Sequence, residues 1–327
     1  MDISVVVPVY NEKGSIAPLG EAIHSTLSAM DASYEIILVD DGSDDGSWEA
    51  LVAAAGKHPH FKLIRLRRNF GQTAAISAGF AASRGKVIIT MDADMQNPPG
   101  DIPKLIEKVN EGYDVVSGWR KDRKDRFLDR RLPSMMGNWL IAVMTGVDLH
   151  DYGCTLKAYR REIVENLQLY GEMHRFIPAL ASWVGGRLAE VEVGHSPRRF
   201  GKSKYGIGRT TRVILDLLTV KFLLKYSAHP IQIFGKIGIL FGIPGFLLAG
   251  LFLFAHLAYN LLGMQCMAGL VELSRRPAWT LMPFMLILFC MQFISMGLLA
   301  ELQIRTYHES QGKPTYVIKE TVDPSDG

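Results

Sequence analysis

The chain has 327 residues, 48% of them hydrophobic and 21% charged, with a formal net charge of +3. That length suits one or two domains with a full core. Its three cysteines (Cys154, Cys266 and Cys290) and nine histidines show no metal-ligand spacing, which argues against a thiolate or imidazole metal centre and fits a reducing compartment.

From the N-terminus, strand-like apolar runs alternate with segments whose apolar positions recur every three or four residues. The pattern predicts strands at 3–9, 34–39, 61–66, 87–91 and 115–117, and helices at 16–29, 47–55, 73–82 and 102–111. Such alternation builds a mainly parallel sheet with right-handed crossovers and helices on both faces. Residues 120–232 are less regular. Within them 132–147 reads as an apolar helix, and 213–224 reads either as an interfacial helix against a bilayer or as a core helix.

No charged residue occurs from Ile237 to Val271 or from Pro277 to Ala300. Each run supplies the roughly 20 apolar residues that cross a hydrocarbon core of about 30 Å. Two transmembrane helices are therefore expected, at about 235–260 and 279–302, joined by a loop carrying Glu272, Arg275 and Arg276. Lys221, Lys225 and Lys236 precede the pair, while Arg305, Lys313 and Lys319 follow it, which puts both ends in the cytoplasm. The two loop arginines act against that orientation. Met1 leads straight into a strand without a basic start, so no signal peptide is expected. The expected organisation is a cytoplasmic catalytic domain (1–210), an interfacial helix (211–232), a two-helix hairpin (233–304) and a cytoplasmic tail (305–327).

The charge is unevenly placed. Arg120 to Arg131 holds seven basic residues against three acidic ones, and Arg198 to Arg212 holds six with no acid. With little aromatic interleaving, these clusters point to anionic headgroups or phosphorylated substrates rather than nucleic acid, with a solvated basic face as the plain alternative.

The strongest chemical signal is Met91-Asp92-Ala93-Asp94-Met95-Gln96-Asn97-Pro98-Pro99. Two carboxylates one residue apart, just past a buried strand, suit a hard divalent cation such as Mg²⁺ or Mn²⁺ whose shell substrate phosphates complete. Alone, the pair reads equally as turn punctuation. The first two strands end in VVVPVYNE (5–12) and VDDGSDDGS (39–47), and a parallel sheet opens all three segments onto one edge. Glu12 and Asp41 are acceptor groups suited to a base N–H or ribose hydroxyls, with Pro8 and Tyr10 flanking the base. Ser43 and Ser47 also read as turn and helix-cap residues.

The strings VVVPVYNE, VDDGSDDGS, RNFGQTAAISAGF, MDADMQNPP and DYGCTLKAYRR resemble family 2 glycosyltransferases of the GT-A fold, in their polyprenyl-phosphate branch, over nearly the whole chain. The resemblance implies an inverting transfer of one sugar from a nucleotide diphosphate, of the UDP type, to a polyprenyl phosphate such as undecaprenyl phosphate at a bacterial inner membrane. Carried over by residue, it implies that Pro8, Tyr10, Glu12 and Asp41 hold the nucleotide and that Asp92, Asp94 and Gln96 surround the metal. Arg120 matches an arginine near the phosphates, and Arg130 with Ser134 matches a lipid-phosphate pair one helical turn apart. Arg199, Ser203 and Lys204 resemble a second cationic element, with Arg131 and Arg198 as adjacent alternatives. Asp151 reads as an orienting residue or a turn cap. A homo-oligomer such as a tetramer is implied too. The chain lacks the QxxRW string of processive polysaccharide synthases, which disfavours that reading, and its intact acidic and basic residues disfavour a catalytically silent scaffold.

Overall fold

The computed structural model describes residues 1–121, 132–167, 169, 171, 173–197 and 314–323, with short stretches and single residues between 217 and 306. The chain divides into two units, Met1–Leu224 with Pro314–Gly327, and Lys225–Lys313. In the first, the predicted alternation is present: β1 (Ile3–Val9), α1 (Ile16–Ser28), β2 (Tyr34–Asp40), α2 (Ser47–Ala55), β3 (Phe61–Leu66), α3 (Gln72–Ala82), β4 (Val87–Thr90), α4 (Ile102–Asn110) and β5 (Val115–Trp119). There follow α5 (Leu132–Thr145), β6 (Lys157–Arg160), α6 (Arg161–Glu165), α7 (Ile177–Trp183), β7 (Leu188–Glu192) and β8 (Ile318–Val322).

The strands form one sheet in the order β7-β5-β6-β4-β1-β2-β3-β8. Six run parallel, while β6 and β8 are antiparallel to their neighbours. Side chains alternate between the faces, and that alternation divides the core in two. Val5, Val7 and Val9 of β1 join Leu19 and Ile23 of α1, Leu51 of α2 and Leu105 of α4. Val6 joins Ala75 and Ile76 of α3, Ile163 of α6 and Leu180 of α7 on the opposite face. Near-continuous Val and Ile in β1 and β2 thus reflect burial on both sides.

β1 lies between β2 and β4, so successive connections move outward in opposite directions from it. A crevice opens at such a reversal, beyond the carboxyl ends of the strands. Because β6 is antiparallel and pairs Lys157 with Thr90, its first residue also lies at that edge.

Strands β6, β7 and β8 are additions to the expected set. β8 falls in the segment read as a tail, and it pairs with β3 through Leu63 and Val322, Ile64 and Thr321, and Arg65 and Glu320. Asp323 then forms ion pairs with Lys62 at 3.2 Å and Arg84 at 3.4 Å.

In the second unit the described residues include helical stretches and a 3₁₀ turn at Gln265–Met267, with Ala258 and Val271 buried. No helix among the described residues is long and apolar enough to cross a membrane. Most of the two expected spans, and most of the expected interfacial helix, lie outside the described residues.

Helix α3 approaches β1 closely at Gly79, where an added Cβ would stand 2.2 Å from Val6 Cγ1. Val6 is fully buried and has nowhere to move. Gly79→Ala is therefore expected to destabilise the first unit by about 1–3 kcal/mol through overpacking. Denaturant unfolding of parent and variant checks this, and equal midpoints would contradict the close approach.

Candidate functional site

The crevice is built from loops that tie one another down. After β1, the Asn11 backbone adopts φ +50°, and its side chain exchanges hydrogen bonds with Asp44, donating through Nδ2 at 2.7 Å and accepting from Asp44 N at 3.0 Å. Ser43 Oγ accepts the Asn11 N–H at 2.9 Å, and Ser47 Oγ accepts that of Glu12 at 3.0 Å. Neither serine caps α2, whose N-cap is Gly46. They clasp the first loop instead. A third loop closes on the second at Gly42, where φ is +70° and a Cβ would lie 2.4 Å from the carbonyl carbon of Arg68.

Asp41 is the buried centre of this arrangement. Its oxygens accept the N–H groups of Phe70 at 2.7 Å and Gly71 at 2.9 Å. Burial nevertheless pushes its carboxyl up to about 6. The loops enclose a cavity of about 170 Å³ lined by Pro8, Tyr10, Glu12, Asp41, Gln72, Asp92 and Asp94 among others. All four residues assigned to the nucleotide therefore meet at one cavity, with both aspartates on its wall.

Asp92 and Asp94 follow β4 in a turn where Met95 holds φ +59°, an uncommon conformation for such a side chain. Asp92 Oδ1 accepts from Gln72 Nε2 at 2.8 Å, and Asp94 Oδ1 accepts the Gln96 N–H at 3.1 Å. Burial, and then repulsion from Asp94, hold Asp92 above the ordinary carboxylate range. Two hard oxygen donors whose mutual charge opposes ionisation fit a divalent cation, which removes that repulsion. Among the described residues no group of three or more His, Cys, Asp or Glu is placed to hold a metal ion, so a cation here depends on a ligand's oxygens for the rest of its shell.

Beside Asp92, Arg120 and Asp151 form a two-pronged ion pair, Nε to Oδ2 at 2.7 Å and Nη2 to Oδ1 at 3.0 Å. Their side chains are 10% and 4% exposed. Burial opposes the Arg120 charge, but the Asp151 hydrogen bond and its carboxylate hold the guanidinium above its ordinary value. Asp151 also accepts the Gly153 N–H at 3.1 Å, so it fixes both Arg120 and the turn leading to β6.

A second cavity, of about 40 Å³, shares Asp92 and Gln72 with the first. Its lining includes Tyr152, Cys154, Lys157, His174 and Arg175, none of which the sequence reading assigns to the site. Burial pulls Lys157 down to about 8 and pushes the Cys154 thiol up to about 11, which leaves that sulfur a poor nucleophile. Ser134 falls on α5 with its side chain outside the described set. Arg130, Arg131, Arg198, Arg199, Ser203 and Lys204 lie outside the described residues as well.

Comparison with known proteins agrees with this architecture. The glycosyl transferase family 2 model matches residues 4–168. A dodecaprenyl-phosphate galacturonate synthase of Rhizobium johnstonii is 41% identical over 330 residues, covering 99% of this chain and 94% of that protein. An undecaprenyl-phosphate 4-deoxy-4-formamido-L-arabinose transferase of Pectobacterium atrosepticum is 39% identical over 322 residues, covering 98% and 94%. Among solved structures, glucosyl-3-phosphoglycerate synthase of Mycobacterium tuberculosis with Mn²⁺, UDP and glucosyl-3-phosphoglycerate superposes with a TM-score of 0.53 at 18% identity, covering 68% of this chain and 79% of that one. Mannosyl-3-phosphoglycerate synthase of Rubrobacter xylanophilus gives 0.56 at 16% identity, covering 71% and 80%. These two show the shared GT-A-like fold.

Two outcomes are expected of the site's charges. Asp151→Ala strands a buried guanidinium and should destabilise by about 3–5 kcal/mol, with Asp151→Asn milder, in thermal or denaturant unfolding. For Asp41, the unfolded carboxyl titrates near 3.8 and the folded one near 6. Between those values the folded chain keeps a proton that the unfolded chain has released, so this group's contribution to stability is lost as pH rises. Asp41→Asn should therefore gain stability relative to the parent across that window. A constant difference at every pH would contradict the raised carboxyl.

Proposed function

The chain belongs to glycosyl transferase family 2, and from that premise we propose that it moves a single sugar from a nucleotide diphosphate, of the UDP type, to a polyprenyl phosphate. The observation that carries this reading is the cavity where Pro8, Tyr10, Glu12 and Asp41 meet the Asp92 and Asp94 pair, in a chain similar end to end to two polyprenyl-phosphate sugar transferases. The acceptor class is common to both relatives; the sugar is not.

In this reading Pro8, Tyr10, Glu12 and Asp41 receive the nucleoside, while Asp92, Asp94 and Gln96 would hold Mg²⁺ or Mn²⁺. A bound divalent cation supplies charge stabilisation for the departing diphosphate. Arg120, set by Asp151, adds positive charge beside the same phosphates. The acceptor phosphate is anionic at neutral pH, so no side chain need remove a proton. One of its oxygens forms the new bond to the anomeric carbon with its own electron pair. The bond to the diphosphate breaks on the opposite side and its electrons leave with the nucleotide, which inverts the centre. The protein's remaining task is to bring two repelling phosphate groups into line. Arg130 or Arg131 with Ser134, and Arg199, Ser203 and Lys204, are assigned to the lipid phosphate.

The runs at about 235–260 and 279–302 form a transmembrane hairpin in this proposal, with 211–232 at the interface and the catalytic domain at the cytoplasmic face of a bacterial inner membrane. A homo-oligomer such as a tetramer completes it.

Asp94→Asn should leave the fold intact and nearly abolish transfer, with exhaustive chelation reproducing the loss. Purified protein incubated with labelled nucleotide sugars and undecaprenyl phosphate, followed by lipid extraction, reads this directly. One sugar per lipid is the expected product. Full activity in the variant or without divalent cations would remove the metal assignment, and long polymer would replace single transfer with processive synthesis.

A further inference from the structure

Lys157 opens β6 at the carboxyl edge of the sheet, opposite Thr90, the last residue of β4, which Asp92 follows by two residues. It is 2% exposed and lines the smaller cavity. A buried ammonium has three N–H donors to satisfy. Among the described residues one of them goes to the Tyr152 carbonyl oxygen at 3.1 Å, and no carboxylate forms an ion pair with it. Lys157 is thus a buried cation with donors left for a ligand.

The cavity indicates what that ligand is. At about 40 Å³ it offers roughly three water positions, by the measure of one probe sphere per water. That suits a small, compact polar group such as the head of a phosphate monoester. Arg175 lines the same space. Position decides between the two phosphate-bearing substrates. The two cavities share Asp92 and Gln72; the larger is also lined from the ends of β1 and β2 and the smaller from β6, and the sheet order sets β6 and β1 on opposite sides of β4, the strand that Asp92 follows. In an in-line displacement the attacking oxygen approaches opposite the departing diphosphate, so the smaller cavity is on the acceptor's side. We propose, on the basis of the transfer reading above, that this cavity receives the phosphate of the acceptor lipid and that Lys157 donates the buried hydrogen bonds that hold it there.

Steady-state kinetics of the full-length protein in vesicles, with undecaprenyl phosphate and nucleotide sugar varied in turn, test this. Lys157→Met should raise the acceptor KM roughly tenfold to a hundredfold, the effect of losing a charged hydrogen bond, with the donor KM within about twofold. Lys157→Arg, which keeps the charge and a donor for Tyr152, should recover most of the acceptor affinity. Inorganic phosphate added to the parent protein should inhibit competitively with the acceptor and not with the donor, and this measurement stands even if Lys157→Met does not fold. Unchanged kinetics in Lys157→Met, a defect confined to the donor, or phosphate competing with the donor would each overturn the inference; the donor-side outcomes would assign the cation to the sugar or the diphosphate. A parent protein that transfers nothing to the lipid would overturn the proposed function itself, so the two failures are distinct.

Discussion

Charge held out of water at one edge of the sheet is the constraint on which the rest of the site depends. Asp41, Asp94, Asp151 and Lys157 are all buried, and an uncompensated buried ion is unstable. The molecule answers each charge differently. Asp41 receives two backbone N–H groups, Asp151 receives a guanidinium, and Lys157 receives a carbonyl oxygen. Asp92 has the Gln72 amide, Thr155 and the Arg120 charge on its side, but burial and the like-charged Asp94 outweigh them and hold its pKa up. That unresolved repulsion is where the chemistry of a cation and a diphosphate enters. A site fully compensated by the protein would have little left to offer a ligand.

The same constraint explains the loops. Each acceptor atom works only if the donors arrive from separate segments in fixed positions, so the loops after β1, β2 and β3 are joined by Asn11 with Asp44, by Ser43 and Ser47, and by Asp41. Positive φ at Asn11 and Met95, and glycine at Gly42, are the local strains that this convergence requires. They cluster at the crevice, while β1 and β2 behind it keep regular parallel pairing along their whole length.

How far the sequence alone revealed this follows from the same physics. The first five strands and first four helices were legible because burial on both faces writes continuous apolar runs, and burial on one face writes a helical period. Strand β6 escaped because Lys157-Ala158-Tyr159-Arg160 has basic residues at both ends, a composition that marks exposed surface; here its lysine is buried and turned toward a cavity. Strand β8, Ile318-Lys319-Glu320-Thr321-Val322, is a mostly exposed edge strand with no apolar alternation to find. The acidic and nucleotide residues were legible as strand-end motifs. The partnership of Asp151 with Arg120 was not, because residues 31 apart meet only through the order of β5, β6 and β7.

The pairing of β8 with β3 has a topological consequence. The chain leaves the first unit after Leu224 and must re-enter it by Pro314 to supply that strand. If the segment between them crosses a bilayer, as proposed above, anchoring at both ends to one folded body makes the number of crossings even, without any count of flanking charges. It also means that cutting the chain before the apolar runs removes more than those runs. The open hydrogen-bonding edge of β3 would be left bare, and an uncovered edge of that kind invites strand-to-strand aggregation between molecules.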